Sequence, residues 1–304
     1  MSLPSPSRRG ALFRVAGMLG CACATNALPA RAQPRCLDLT LPPPVALTPA
    51  EQEQHGIFLL LAMALVFDGW GVDRRRPDLV TAFAVEEPER RFAEYLGHNI
   101  GALLVDREAN IVCFALNRNV QLNSTLEHAE ARSVRTAIQL ANAARQPSDA
   151  PSWSFGNLLQ ADRLYATLEP CAQCAGILDL ANVGSVIYGQ DDPRQHRILN
   201  VLYNLNQRPR TTGAPLPIQA TFLPTWRELA VAYEAFVRAA EPGSNIGLTS
   251  FLETILAYRI YKKAALALTS MSVRHAGNTA ALSSARMFRA RWQDNLAAGI
   301  VPPI

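Results

Sequence analysis

The chain has 304 residues, 49% of them hydrophobic and 18% charged. That excludes a disordered or low-complexity chain and supplies apolar mass for one or two domains with a substantial core. The formal net charge of +4 is small for a protein that tracks a phosphate backbone, and it is concentrated at one end.

Ser7-Arg8-Arg9-Gly10-Ala11-Leu12-Phe13-Arg14 has the pattern of a twin-arginine export signal. A moderately apolar stretch from Val15 to Leu28 follows, and Ala30-Arg31-Ala32 offers a cleavage site before Gln33. The stretch is too short and too glycine-rich to span a bilayer. Cleavage ahead of Cys21, as in a lipoprotein, is the weaker reading, and a basic tail on a cytoplasmic protein is the alternative to export. Residues 1–32 hold Arg8, Arg9, Arg14 and Arg31 and no acid, so the remaining chain is formally neutral. Export and neutrality together argue against a nucleic-acid substrate, and the mature chain has no membrane span. In a periplasmic or secreted protein Cys36 and Cys113 could pair, although two unrelated thiols, with Cys113 buried in a strand, is the favoured reading.

After Pro42, Pro43 and Pro44, Thr48-Pro49-Ala50-Glu51 forms a capping box with proline at the first helical position. The apolar run from Ile57 to Phe67 predicts a buried helix. Residues 68–97 read as an insertion, and their charged knots Arg74-Arg75-Arg76 and Glu86 to Arg91 read as solvated surface. Asn99–Asp106 and Ile111–Asn117 are strand-like runs around a turn at 107–110, a plausible hairpin. Asn117 ends the second strand, where it could face a ligand or merely bond its own turn.

A helical pattern opens at Leu126-Glu127-His128-Ala129-Glu130 and runs to about Arg145, ending at Pro147. Residues 146–162, with Trp153 and Phe155, form a loop long enough to serve as a lid. A strand at 163–168 then ends in Glu169-Pro170-Cys171-Ala172-Gln173-Cys174. Proline suits the first turn of a helix, and the i, i+3 spacing puts both sulfurs on one helix face. The Cys helix runs from Cys171 to Asn182 and is followed by a strand at 185–189.

Cys-x-x-Cys alone fits a redox pair, a structural zinc knuckle or coincidence. With His128 the donors number three, and a catalytic zinc takes three protein ligands and keeps its fourth position open. No further Cys-x-x-Cys or His-x-x-x-His pair completes a closed site. His-x-Glu followed by Pro-Cys-x-x-Cys is moreover a known signature of zinc-dependent base deaminases. Its acid moves protons without binding metal, which is the role expected of Glu130.

Residues 98–193 resemble the cytidine deaminase-like superfamily, and within it the branch of tRNA-adenosine and bacterial guanine deaminases. The carrying residues are Gly101 to Asp106, Asn117-Arg118, His128-Ala129-Glu130, Thr167 to Gly176 and Val186-Ile187-Tyr188-Gly189. The resemblance implies an α/β fold with a three-layer α/β/α core and a mixed sheet, and a zinc cofactor on His128, Cys171 and Cys174. It also implies Asn117 as a base contact and a small-molecule nucleobase or nucleoside as substrate, purine before pyrimidine and guanine-like before adenine-like. Gln173 stands where the branch usually has methionine, and Glu127 where a small or apolar residue is common, so substrate choice stays open.

These features divide the chain into a signal over 1–32, a deaminase domain over 33–193 and a C-terminal extension over 194–304. The extension's periodicity is helical throughout, with runs at 195–205, 225–240, 249–269 and 278–298. It offers a cap over the site or a homodimer surface. His196 and His275 read as surface residues.

Overall fold

A computed structural model describes residues 45–144, 158–192, 215–240 and 247–299. The signal region, Cys36, Trp153, Phe155 and His196 lie outside these residues, as does the helical run expected at 195–205.

The first helix, α1 (Pro49–Asp68), starts as its sequence requires. Thr48 Oγ1 accepts from Glu51 N at 3.3 Å, and Glu51 accepts in return from Thr48 N at 2.8 Å. Every residue from His55 to Val66 is buried. A helix apolar all round needs cover on every side, and this one lies between a sheet and other helices.

The hairpin strands β3 (Gly101–Val105) and β4 (Ile111–Leu116) form as expected. With β5 (Arg163–Leu168), β6 (Ser185–Gln190) and β7 (Leu216–Gln219) they make a five-stranded mixed sheet, ordered β4-β3-β5-β6-β7. Strand β3 pairs antiparallel with β4 and β5, whereas β5, β6 and β7 are mutually parallel. The signature residues stand at the N-terminal ends of two helices, α3 (Ala129–Ala144) and α4 (Ala172–Leu180), which pack on each other. Helix α1 packs on β3, β5 and β6.

The expected insertion is not all solvated surface. It holds α2 (Pro77–Glu86) and a parallel pairing of β1 (Gly71–Val72) with β2 (Ala93–Glu94). Arg74 to Arg76 are exposed as expected, but Arg90 is half-buried. Its guanidinium lies 4.4 Å from the centre of the Phe67 ring and 5.3 Å from that of Tyr258, and it donates to the Tyr258 hydroxyl at 2.8 Å. Cation–π contact with a desolvated guanidinium explains why a charge inside an acidic run turns inward. Glu86 and Glu87 pair with Arg259 and Lys262 of the C-terminal helices.

Beyond residue 193 the first described element is a strand, β7, not a helix. Pro217 within it hides the strand from a propensity reading, and an edge position is where a proline can be tolerated. The helices follow as α5 (Pro224–Ala239), α6 (Leu248–Phe251), α7 (Ile255–Ser270) and α8 (Thr279–Ala297). The single run expected over 249–269 breaks in two because Thr254 caps α7, its Oγ1 accepting from Ala257 N at 3.3 Å. Helices α7 and α8 enclose α1. Among the described residues no helix is long and apolar enough to cross a membrane.

Candidate active site

The parallel strands β5 and β6 end side by side, Leu168 opposite Gln190. Loops leaving the carboxyl ends of parallel strands are where open α/β sheets build sites. The Glu169 carboxylate shapes this turn by accepting from Asp192 N at 2.8 Å, while Glu169 N donates to Gln190 O at 2.8 Å.

Cys171 is the N-cap of α4 rather than a residue inside it, with extended φ −71° and ψ 168°. Cys174 therefore sits in the first turn, as the i, i+3 spacing requires. His128 also lies just outside its helix. The expected start at Leu126 moves to Ala129, because Asn117 Oδ1 accepts from Ala129 N at 2.6 Å and ties the chain to the end of β4. The His128 carbonyl accepts from Arg132 N at 3.0 Å, the first bond of the helix.

These two caps bring the three expected ligands together. His128 Nδ1 is 3.3 Å from Cys171 Sγ and 3.6 Å from Cys174 Sγ, and the sulfurs are 3.5 Å apart. A tetrahedral zinc with N and S donors at about 2.0–2.1 and 2.3 Å sets such edges at about 3.5–3.8 Å. Two thiols and an imidazole on one triangle are a zinc-type donor set, so the residues fit the ion. Hydrogen bonding from Cys174, opposed by burial and helped by His128, holds the Cys171 thiol well below its usual range. Cys174 is pushed up, first by its bond to the Cys171 sulfur and then by burial. His128 is raised, chiefly by its bond to Cys171. The trio thus holds negative charge and shared protons that a bound cation would displace.

Glu130 lies beside this triangle, its Oε2 3.5 Å from Cys174 Sγ. It is buried, and burial pushes its carboxyl up to about 7. A carboxyl of that acidity can both take and give a proton near neutral pH. Asn117 is buried and its side-chain oxygen is already spent on Ala129 N. The structure therefore gives it a framework role beside the site whatever else it touches.

Both departures from the branch pattern have structural work. Gln173 Nε2 donates to Leu126 O at 3.3 Å, linking the two ligand loops. Glu127 pairs with Arg132 at 2.6 Å, a guanidinium only 2% exposed, and with Arg135 at 3.2 Å. Sequence spacing carried no sign of either tie, since a glutamate or glutamine beside a motif is ordinary surface chemistry. Cys113 is buried and free, its Sγ donating to Ser133 O at 3.3 Å, and burial pushes it up to about 12.

Residues 77–190 match the family model of the cytidine and deoxycytidylate deaminase zinc-binding region. The matched region holds His128, Glu130, Cys171 and Cys174, so the site lies wholly within the stretch that is similar to that family. A tRNA-specific adenosine deaminase of Agrobacterium fabrum is 34% identical over 95 residues, 31% of this chain and 53% of that protein. One from Rickettsia bellii is 29% identical over 110 residues, 36% of this chain and 67% of the relative. The chain thus spans about half to two thirds of the relatives it matches. A solved guanine deaminase from Nitrosomonas europaea is 13% identical with a TM-score of 0.30, covering 79% of this chain and 97% of the other.

Proposed function

We propose that the protein is a zinc-dependent hydrolase that removes ammonia from an amino-substituted nucleobase or nucleoside. The observation that carries this reading is the triangle of His128, Cys171 and Cys174 with the buried Glu130 beside it. His128, Cys171 and Cys174 would hold the zinc, which supplies the Lewis acidity that makes water acidic near neutral pH. Glu130 then takes a proton from the attacking water and passes it to the ring nitrogen and on to the departing amine. Its raised pKa, close to neutral, suits both directions. Asn117 is proposed to hold the ring. The preference for a purine, guanine-like before adenine-like, rests on the branch resemblance.

Ammonia release from the purified, zinc-loaded protein against a panel of bases and nucleosides tests the reading. Glu130→Ala is expected to keep one zinc per chain and lose activity by about 10²–10⁴-fold. Full activity in that variant overturns the assignment. A polynucleotide substrate is the second reading, favoured by the two relatives described as tRNA-specific adenosine deaminases. It is tested by adding tRNA to the panel and following binding against salt, because phosphate contacts make affinity fall steeply with salt. The twin-arginine pattern supports export to the periplasm or beyond, and N-terminal sequencing of exported protein should begin at Gln33.

A further inference from the structure

Beside the site runs a chain of titratable side chains that the proposed chemistry does not use. The Tyr95 hydroxyl donates to the Glu253 carboxylate. His98 Nδ1 lies 3.0 Å from the Tyr95 oxygen and 3.3 Å from Glu253 Oε1. Tyr95 and His98 belong to the segment leading into β3, whereas Glu253 comes from the link between α6 and α7. Asn99 pins that segment, its Nδ2 donating to Leu252 O at 3.3 Å and to Gly71 O at 3.2 Å.

The bonding pattern sets the tautomer. The Tyr95 proton is spent on Glu253, so Nδ1 faces a phenolic oxygen and a carboxylate, and only a protonated Nδ1 is satisfied by both. In the neutral ring Nε2 is then an acceptor, and no described residue bonds to it. His98 keeps 28% of its side chain exposed, so a ligand can reach it.

The position is close to the proposed substrate contact. Gly97, His98, Asn99 and Asn117 line one small cavity of about 10 Å³, roughly the space of a water molecule. A Cβ on Gly97 would stand 3.0 Å from Asn117 O, so the chain before His98 runs against the backbone of Asn117. Asn117 in turn holds Ala129, the residue after His128.

We infer that His98 is a specificity-determining substrate contact, its Nε2 accepting from a ring N–H or amino group, with Glu253 as the positioning residue that fixes its tautomer. The inference rests on the deaminase reading and deepens it. It gives the C-terminal helices a part in recognition through one carboxylate.

The test uses the full-length, zinc-loaded protein and whichever base or nucleoside the wild type turns over fastest. His98→Ala is expected to raise KM about tenfold, the loss of one ordinary hydrogen bond, with kcat within about threefold. His98→Gln, whose Oε1 can stand near the Nε2 position as an acceptor, should recover most of that loss. Glu253→Gln should raise KM with kcat within about threefold, because an amide can donate to Nδ1 and turn Nε2 into a donor. Unchanged KM in folded, zinc-bearing His98→Ala overturns the recognition role and leaves the deaminase reading intact. A lower melting temperature with unchanged KM in all three variants makes the cluster a structural tie only, which also overturns it. No turnover of any substrate by the wild type sinks the deaminase reading and the recognition role together.

Discussion

Asn117 does two jobs that can be separated. Its oxygen caps Ala129, so Asn117→Ala should cost about 1 kcal/mol of stability as well as substrate affinity. Asn117→Asp keeps the acceptor and should recover the melting temperature. It replaces an amide donor with a carboxylate, however, so kcat/KM should stay at least tenfold down. Recovery of both by the aspartate would assign Asn117 to the framework alone. His55 reports on pH. It is buried in α1 with Nδ1 2.9 Å from the Tyr165 hydroxyl, and burial pushes it down to about 4, with Arg163 adding to the shift. The unfolded chain takes up a proton here near pH 6.5, whereas the folded chain does so only near 4. Stability therefore falls as pH drops through that window, by about 2 kcal/mol between pH 7 and 5. Asp162, pushed up to about 6 by burial, works in the opposite direction, so the comparison is with a variant. Urea unfolding of His55→Gln should show a smaller loss between pH 7 and 5 than the wild type, and equal losses would refute this.

At the scale of elements, α1 depends on the C-terminal helices for its cover. Trp292 of α8 is buried, packs edge-on against Phe114 of β4 at 5.4 Å, and donates from Nε1 to Leu65 O at 3.1 Å. Arg289 of the same helix pairs with Asp68 at the end of α1 at 2.7 Å. Trp292→Ala should cost about 3–5 kcal/mol, seen as a lower urea midpoint, since it opens a cavity and removes a buried hydrogen bond at once. A cost below 1 kcal/mol would mean that α8 is peripheral. The capping box at Thr48 and Glu51 and the strand runs were legible because their signals are local. Strand β7 was not, because Pro217 cancels the propensity signal and only parallel pairing with β6 makes the segment a strand. The break before α7 escaped notice for a similar reason: Thr254 is an ordinary helical residue until the chain turns there.

Among the described residues, two clusters that bear on the proposed chemistry join residues distant in sequence. One is the triangle of His128, Cys171 and Cys174, and the other is the Tyr95, His98 and Glu253 cluster. The first was legible, because donor type and i, i+3 spacing are written locally and a zinc signature is read from those alone. The second was not, because Tyr95, His98 and Glu253 share no motif and 155 residues separate His98 from Glu253. Arg90 shows the same limit, since its charge predicts exposure until three aromatic rings from different segments surround it. By itself the sequence determined where α1, β4, β5 and β6 begin, which helix is apolar all round, and which donor residues stand at zinc-like spacing. Those are properties of neighbouring residues, governed by backbone sterics, capping and periodicity. The tertiary structure alone decided which caps bring His128 and the cysteines within 3.6 Å, what Glu127 and Gln173 hold, and which C-terminal carboxylate reaches the site edge. Each of those depends on contacts between segments whose sequence separation carries no local signal.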